Sequence, residues 1–306
     1  MRCAALLVLL ALAQEAKNAV PPEDSQRAAE KTVRAAHKDE IGDPKLGRRL
    51  LDQAVDTKDD LALRFVLFRE ACEAATRAGD LETLLRGIDE VHGGFHVVGL
   101  SLKEPYLLKM EPALSKPDDL KRLAEVLVRL AQEAVDLDQY DVAGKAAQSS
   151  QSSARKAKDA ALAARADAAG KSVNEMKAAF EKARKAEELL ASAPDDANAN
   201  LVWGEWLCFQ KGRWDRGLGF LTKAPNSPVR TMALKEFSGS AELNSLMELA
   251  DGWWDLAERE PRPSRRVQLL VHARSIYTAA LSKSSGEIRA KIGKRLEFDP
   301  TPPARK

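Results

Sequence analysis

The chain has 306 residues, of which 31% are charged, with 48 lysines and arginines set against 46 aspartates and glutamates. It is long enough to bury a substantial core without disulfide or metal staples, and a formal net charge of +2 provides no overall field to attract nucleic acid or an anionic membrane. Modest glycine and proline contents argue against a disordered chain.

Met1-Arg2 gives a positive start, Cys3 to Ala13 is an almost unbroken apolar run, and Ala11-Leu12-Ala13 fits the small-x-small cleavage rule. Residues 1–13 therefore read as a secretory signal peptide cut before Gln14. The run is too short to span a bilayer as a stable helix. The alternative, a buried N-terminal helix, conflicts with the abrupt polarity of Gln14-Glu15-Ala16-Lys17. Cys3 precedes the cleavage point and so is not placed as a lipoprotein cysteine. No later segment is apolar enough to span a membrane, so the expectation is an exported, periplasmic or extracellular protein. Only Cys72 and Cys208 remain after cleavage. Export permits them to pair, but each lies in an apolar helical run, where a thiol acts as a small hydrophobe.

Nearly every later segment carries leucine and alanine at three- and four-residue spacing, the signature of helix. Residues 14–44 read as a loose leader ending at Pro21-Pro22 and a polar helix from about Asp24 to Glu40, stopped by Gly42-Asp43-Pro44. Residues 45–142 form an N-terminal helical-repeat region. In it Leu61 to Arg77 turns at Ala78-Gly79-Asp80 into Leu81 to Val91, which Gly93-Gly94 ends. Pro105, Pro112 and Pro117 are expected to cut the following helices short, and Asp118-Asp119 to cap a helix from Leu120 to about Asp136. Residues 143–193, rich in alanine, lysine and glutamate, read as one or two long exposed helices with a bend near Gly170. Residues 194–297 form a tryptophan-rich C-terminal repeat region: Leu201 to Phe209, a Lys211-Gly212-Arg213 turn, Trp214 to Ala224, then Ala241 to Glu260, Arg265 to Ser282 and a short basic helix. A proline-rich tail occupies 298–306.

Several of these pairs share a pattern. Leu130-Ala131 precedes the turn Asp138-Gln139-Tyr140-Asp141 and then Ala143, with aspartate where a turn glycine usually stands. Ala71 and Ala75 precede Gly79-Asp80-Leu81. Leu201 and Gly204 precede Gly212-Arg213-Trp214-Asp215 and Gly217, with one extra residue before the turn. Leu249-Ala250 and Trp253-Trp254 precede Ala273, Tyr277 and Ala280-Leu281 across a long proline loop. This pattern resembles degenerate tetratricopeptide repeats, in which small residues let two helices cross closely. The resemblance implies an all-α solenoid of helical hairpins, with the charged alanine-rich stretch as an insertion and a concave protein-binding surface. Further strings are Pro194-Asp195-Asp196, Leu207-Cys208-Phe209, Lys211 to Leu218, Trp253 to Glu258, Phe68-Arg69-Glu70-Ala71 and Ala154 to Lys158. Over most of residues 35–297 the chain is similar to a family of exported helical proteins of planctomycete bacteria. That likeness implies an exported helical module and brings no activity with it. Relatives often carry an acid where Arg213 stands.

Candidate chemistry is sparse. His92 and His96 have metal-ligand spacing, but Gly93-Gly94 lies between them and no glutamate completes a zinc motif. Ser238-Gly239-Ser240 lacks the context of a nucleophile elbow, Cys208 sits mid-helix, and Gly212, Gly217 and Gly219 follow no strand that would make a phosphate loop. The basic cluster Arg155, Lys156 and Lys158 is interleaved with acids and reads as a solvated face. Asp251, Asp255 and Glu258 beside Trp253 and Trp254 would suit a sugar ring. Adjacent tryptophans point about 100° apart on a helix, however, so one can fill the core while its neighbour packs on the next helix.

All five tryptophans lie between Trp203 and Trp254. Trp203, Trp206, Trp214, Trp253 and Trp254, with Arg213 and Arg216 as a polar rim, form the candidate binding surface. The expected function is a non-catalytic scaffold for a protein partner, with no cofactor, metal, nucleic acid or membrane span. The alternatives are a module for cell-envelope polysaccharide, which needs exposed tryptophans, and a helical glycoside hydrolase using the 251–258 carboxylates.

Overall fold

The structure, a computed structural model, describes residues 17–299. The signal peptide read at 1–13 and nearly all of the proline-rich tail lie outside the described residues. Those residues form fourteen α-helices and no extended strand. In chain order these are α1 (Glu23–Ala36), α2 (Leu46–Asp56), α3 (Leu61–Ala78), α4 (Leu81–Gly94), α5 (Gly99–Met110), α6 (Pro117–Asp136) and α7 (Tyr140–Lys156). They continue with α8 (Ala160–Ser192), α9 (Ala197–Glu205), α10 (Trp214–Thr222), α11 (Pro228–Phe237), α12 (Leu243–Arg259), α13 (Pro263–Leu281) and α14 (Gly286–Glu297). The expected all-α class is observed. The chain divides into two compact units, 1–174 and 175–306, with the division inside α8.

In the first unit α3 is the central element. Asp60 caps it by accepting from the Leu63 amide at 2.9 Å, and Gly79 ends it in the left-handed region at φ 71°. Val66, Leu67, Phe68, Ala71 and Ala75 on α3 are buried. Small residues let its neighbours approach: a Cβ added to Gly47 of α2 would meet the Ala75 nitrogen at 2.9 Å, and one added to Gly87 of α4 would meet Cys72 Sγ at 2.8 Å. A helix over Leu46–Asp56 has no assignment from the sequence, yet α2 supplies Leu46, Leu50, Leu51 and Ala54 to the same core.

Three expectations change here. Pro105 lies inside α5 rather than ending it. An interior proline forfeits one backbone hydrogen bond, and α5 continues because Leu100, Leu107 and Met110 are buried. Asp118 and Asp119 stand in the first turn of α6 and complement its dipole, while Pro117 occupies the first helical position and the capping residue is Lys116. The leader is held at one point, where the Asn18 amide donates to the Gly94 carbonyl and its own carbonyl accepts from the His96 amide, both at 2.8 Å.

The charged stretch beginning at residue 143 is not a single exposed insertion. Its first helix, α7, pairs with α6 along Tyr140, Ala143, Ala146, Ala147 and Ala154, all buried. Ser150 donates to the Ala124 carbonyl across that contact at 2.8 Å. The break falls at Ala157–Asp159 rather than at Gly170, which is helical. Lys158 takes φ 56° there, and Asp138 takes φ 59° in the turn between α6 and α7, both where glycine is the easy choice. Asp138 is compensated by the Tyr140 hydroxyl, which donates to its carboxylate at 3.0 Å.

In the second unit, the extra residue before Gly212 is absorbed as a π turn over Trp206–Gln210, closed by the Lys211 amide on the Trp206 carbonyl at 3.1 Å. A Cβ on Gly204 would meet the Leu221 nitrogen at 3.1 Å. One on Gly217 would meet Leu207 Cβ at 2.8 Å and the Cys208 nitrogen at 3.1 Å. Helix α11, for which the sequence carried no assignment, begins at Pro228 with Ser227 as its cap. No helix among the described residues is long and apolar enough to cross a membrane.

Two substitutions test this account. Lys158→Gly relieves the left-handed strain of an exposed side chain and is expected to raise stability by ~0.5–1 kcal/mol. Gly217→Ala forces α10 away from the π turn and is expected to cost about 2 kcal/mol. Urea unfolding of the two variants against the parent reads both.

Candidate functional site: a polar groove along α3

The five tryptophans are not a surface. Trp203, Trp206, Trp253 and Trp254 are buried and Trp214 is half-buried. Trp214 lies flat on the His272 ring, with centroids 3.6 Å apart and planes 2° from parallel, and meets Trp253 and Phe209 edge-on. The Trp253 indole N–H donates to Glu236 Oε2 at 2.6 Å, and the same oxygen lies 2.9 Å from His272 Nε2. One carboxylate on α11 thereby ties α12 to α13. Trp254 faces another way, donating to Glu258 Oε1 at 2.8 Å beneath the Arg295 guanidinium of α14. The two adjacent rings both reach α13 but otherwise diverge, Trp253 toward Trp214 of α10 and Trp254 toward Arg295 of α14, as their angular offset requires. Arg213 and Arg216 are exposed beside Trp214.

The carboxylates considered for glycoside chemistry are engaged in this packing. Asp251 accepts from the Tyr277 hydroxyl and from Lys291 Nζ, the latter at 2.7 Å. Glu258 also lies 3.6 Å from Arg295. Both hold α14 against α12, and Asp251 also reaches α13. Of the three, only Asp255 is exposed without a polar contact among the described residues. A second buried charge, Arg265, lies 2.6 Å from Glu205, 2.9 Å from Glu260 and 4.1 Å from the Phe209 ring centroid, fastening α13 to α9 and the π turn. Its Nε has no well-angled hydrogen bond, so the Glu260 contact is an ion pair by distance alone.

His92 lies in the last turns of α4 and His96 beyond the helix end, so a helical four-residue spacing does not apply to them. No cluster of three potential metal ligands occurs among the described residues. Of the basic cluster, Arg155 pairs with Asp167 at 3.1 Å and Lys156 with Glu111. Cys72 and Cys208 are buried free thiols.

A concave feature with open chemistry lies in the first unit. A cavity of about 630 Å³ is bounded by Glu73, Thr76 and Arg77 of α3, by Tyr106 and Lys109 of α5, and by the 3-10 turn after α5. A second hollow of about 290 Å³ shares Glu73 and Arg77 and continues to Val33, Ile41, Leu46 and Leu50. Gly79 shapes the first cavity, because a Cβ there would strike the Ala113 carbonyl oxygen at 2.8 Å. Pro105 and Pro112 give it rigid apolar walls. Burial, reinforced by the nearby Cys72 and Glu73, raises the Tyr106 pKa and keeps its hydroxyl a neutral donor.

The polar groups along this groove differ in how firmly they are held. Glu70, 7% exposed, takes the Arg34 guanidinium at 3.2 Å, and Arg34 reaches Glu30 at 2.9 Å. Attraction to Glu70, outweighing desolvation, raises the Arg34 pKa. Among the described residues Arg77 pairs with Glu73 alone, at 3.7 Å between exposed side chains. Lys109 has no ion-pair partner among the described residues. Nothing in the sequence reading singled out Tyr106, Arg77 or Lys109. The prolines were taken as helix breakers, and the groove exists only because α5 continues through one of them.

Comparison with protein-family models, with curated proteins and with solved structures yields no match.

Burial pushes the Cys72 thiol up to about 12, so at pH 8 it stays protonated in the folded chain. Iodoacetamide is expected to label Cys72 only once the first unit has unfolded, and peptide mapping along a urea series will show this. Labelling of the native chain at the rate of a free thiol would contradict the packing of α3 on α4.

Proposed function

We propose that the chain is an exported, non-catalytic helical scaffold that binds a protein partner through the groove along α3. The observation that carries this reading is the groove itself: two adjoining hollows with rigid proline walls, a neutral tyrosine donor and two loosely held cations. Concave surfaces with a few convergent polar groups and apolar walls are the ordinary form of a recognition site.

The small-residue crossings at Ala75 and Gly47, at Cys72 and Gly87, and at Gly204 and Gly217 support a tetratricopeptide-like reading of the helix pairs. So does the left-handed Asp138 in the position of a turn glycine. Under this reading the likeness to exported planctomycete helical proteins accounts for the apolar run at residues 3–13. The polysaccharide reading loses its support, since it needs exposed tryptophans and four of the five are buried. The hydrolase reading is weakened because Asp251 and Glu258 serve as clamps for α14.

A photoreactive phenylalanine analogue at position 106, in the full mature chain added to envelope extract, is expected to cross-link a protein that untagged chain competes away. The same analogue at position 255 is expected to give none. Equal capture from both positions, or none from position 106, would remove the groove from this reading.

A further inference from the structure

Helix α1 is held differently from the other helices that lie wholly in the first unit. Its inward positions recur at helical spacing as Gln26, Ala29, Glu30, Val33 and His37, and of these Val33 alone is buried. By contrast α2 buries Leu46, Leu50, Leu51 and Ala54, and α5 buries Leu100, Leu107 and Met110. A helix fixed permanently to a core turns an apolar stripe toward it. The stripe that α1 turns toward α3 is mostly polar.

Charge stands where apolar contact is missing. Glu30 pairs with Arg69 of α3, Arg34 meets Glu70 at 3.2 Å and Glu30 at 2.9 Å, and Arg69 donates to Gln26 at 3.4 Å. The Arg34 side chain is 59% exposed, so this network borders water and is open to screening by salt. Lifting α1 returns Glu70 and Arg69 to water and strands no charge in the core; the apolar contact given up is that of Val33 and part of Ala29. Beyond this network the leader adds the one-residue bridge between Asn18 and Phe95 and the buried ring of Pro21. At the other end, Arg49 of α2 holds Glu40 and, at 2.7 Å, Asp43, whose carboxylate also takes the Lys45 amide at 2.8 Å. The turn after α1 therefore stays with α2, and the pivot falls at His37, where α1 ends.

Val33, Arg34 and His37 form one wall of the smaller hollow, beside Leu46 and Leu50 of α2, whereas the larger cavity is bounded by α3, α5 and the turn after α5. Resting on the binding reading above, we propose that α1 is a charge-latched lid over the apolar end of the groove. It lifts from α3 about His37, bares Leu46 and Leu50, and lets a protein seated on the larger cavity extend onto them. In the closed state Glu30, Arg34, Arg69 and Glu70 hold the lid down. The affinity of the groove is then reduced by the fraction of chains that are closed, so whatever loosens the latch tightens binding.

Hydrogen exchange on the full mature chain, read by mass spectrometry, tests the lid. In about 0.5 M NaCl the peptides of α1 are expected to exchange about threefold faster than in low salt, while those of α3 keep their protection. Arg69→Gln removes a latch partner that belongs to α3, and is expected to speed exchange in α1 about fivefold and to weaken its dependence on salt. Glu23→Gln, which breaks only the pair with Arg27 inside α1, is expected to change neither. Protection of α3 in the same data shows that each variant is folded, and the salt series on the parent decides if Arg69→Gln is not. Exchange of α1 no faster than α3 in either salt, or an equal response to the two variants, overturns the lid. Cross-linking from position 106 in envelope extract reads the coupling to binding: at limiting bait, Arg69→Gln is expected to raise the captured yield about threefold. Unchanged capture overturns the control of the groove by α1. If α1 opens as expected but neither chain captures a partner, the binding reading falls and the hinged lid remains.

Discussion

Close approach of helix backbones at glycine is the constraint on which both units depend. Helix α3 is gripped from two sides, by Gly47 on α2 and Gly87 on α4, and at both places a single added methyl would collide with backbone or sulfur. In the second unit Gly204 and Gly217 do the same work around the π turn. Contacts this short leave no room for rotamer adjustment, so the small residues fix the crossing points and the larger side chains fill what remains. The left-handed residues Gly79, Asp138 and Gly212 then turn the chain tightly enough to return the next helix to its crossing.

Once the crossings are fixed, buried polar groups decide which helices are tied together. Glu236 holds α12 and α13 through one oxygen, Arg265 ties α13 to α9, and Asp251 with Glu258 ties α14 to its neighbours. These carboxylates and cations are largely neutralised within their own unit. Along α3 the balance is different, since Lys109 is left over and Arg77 is only loosely held. The contrast between the buried clamps and the loosely held cations along α3 is the basis of the proposal that recognition lies in the first unit.

Helix type was legible in the sequence wherever periodicity was strong, as in Leu61 to Arg77 and in the segment before Leu137. Turn chemistry was legible where glycine or an acid stood at the right place, at Gly79-Asp80 and Asp138. Two things were not. Helix α2 is short and contains Gly47, whose reason for being small lies on another helix, so the local pattern understated it. Pro105 carries a local preference to break a helix that buried neighbours override. The groove was illegible for the same reason: its residues come from six segments, and none carries a motif. The tryptophan cluster was legible as an unusual feature, but composition alone cannot tell an aromatic core from an aromatic surface, and here the rings went inward.

That inward placement has a spectroscopic consequence. Every indole in the protein lies in the second unit, and the first unit absorbs and emits only through Tyr106 and Tyr140 among its tyrosines. Intrinsic fluorescence excited at the red edge therefore follows the melting of one unit alone, while far-ultraviolet dichroism follows both. The molecule carries its own two-colour thermometer, and a difference between the two signals would measure directly how far the groove-bearing unit opens independently of its tryptophan-filled neighbour in the sequence.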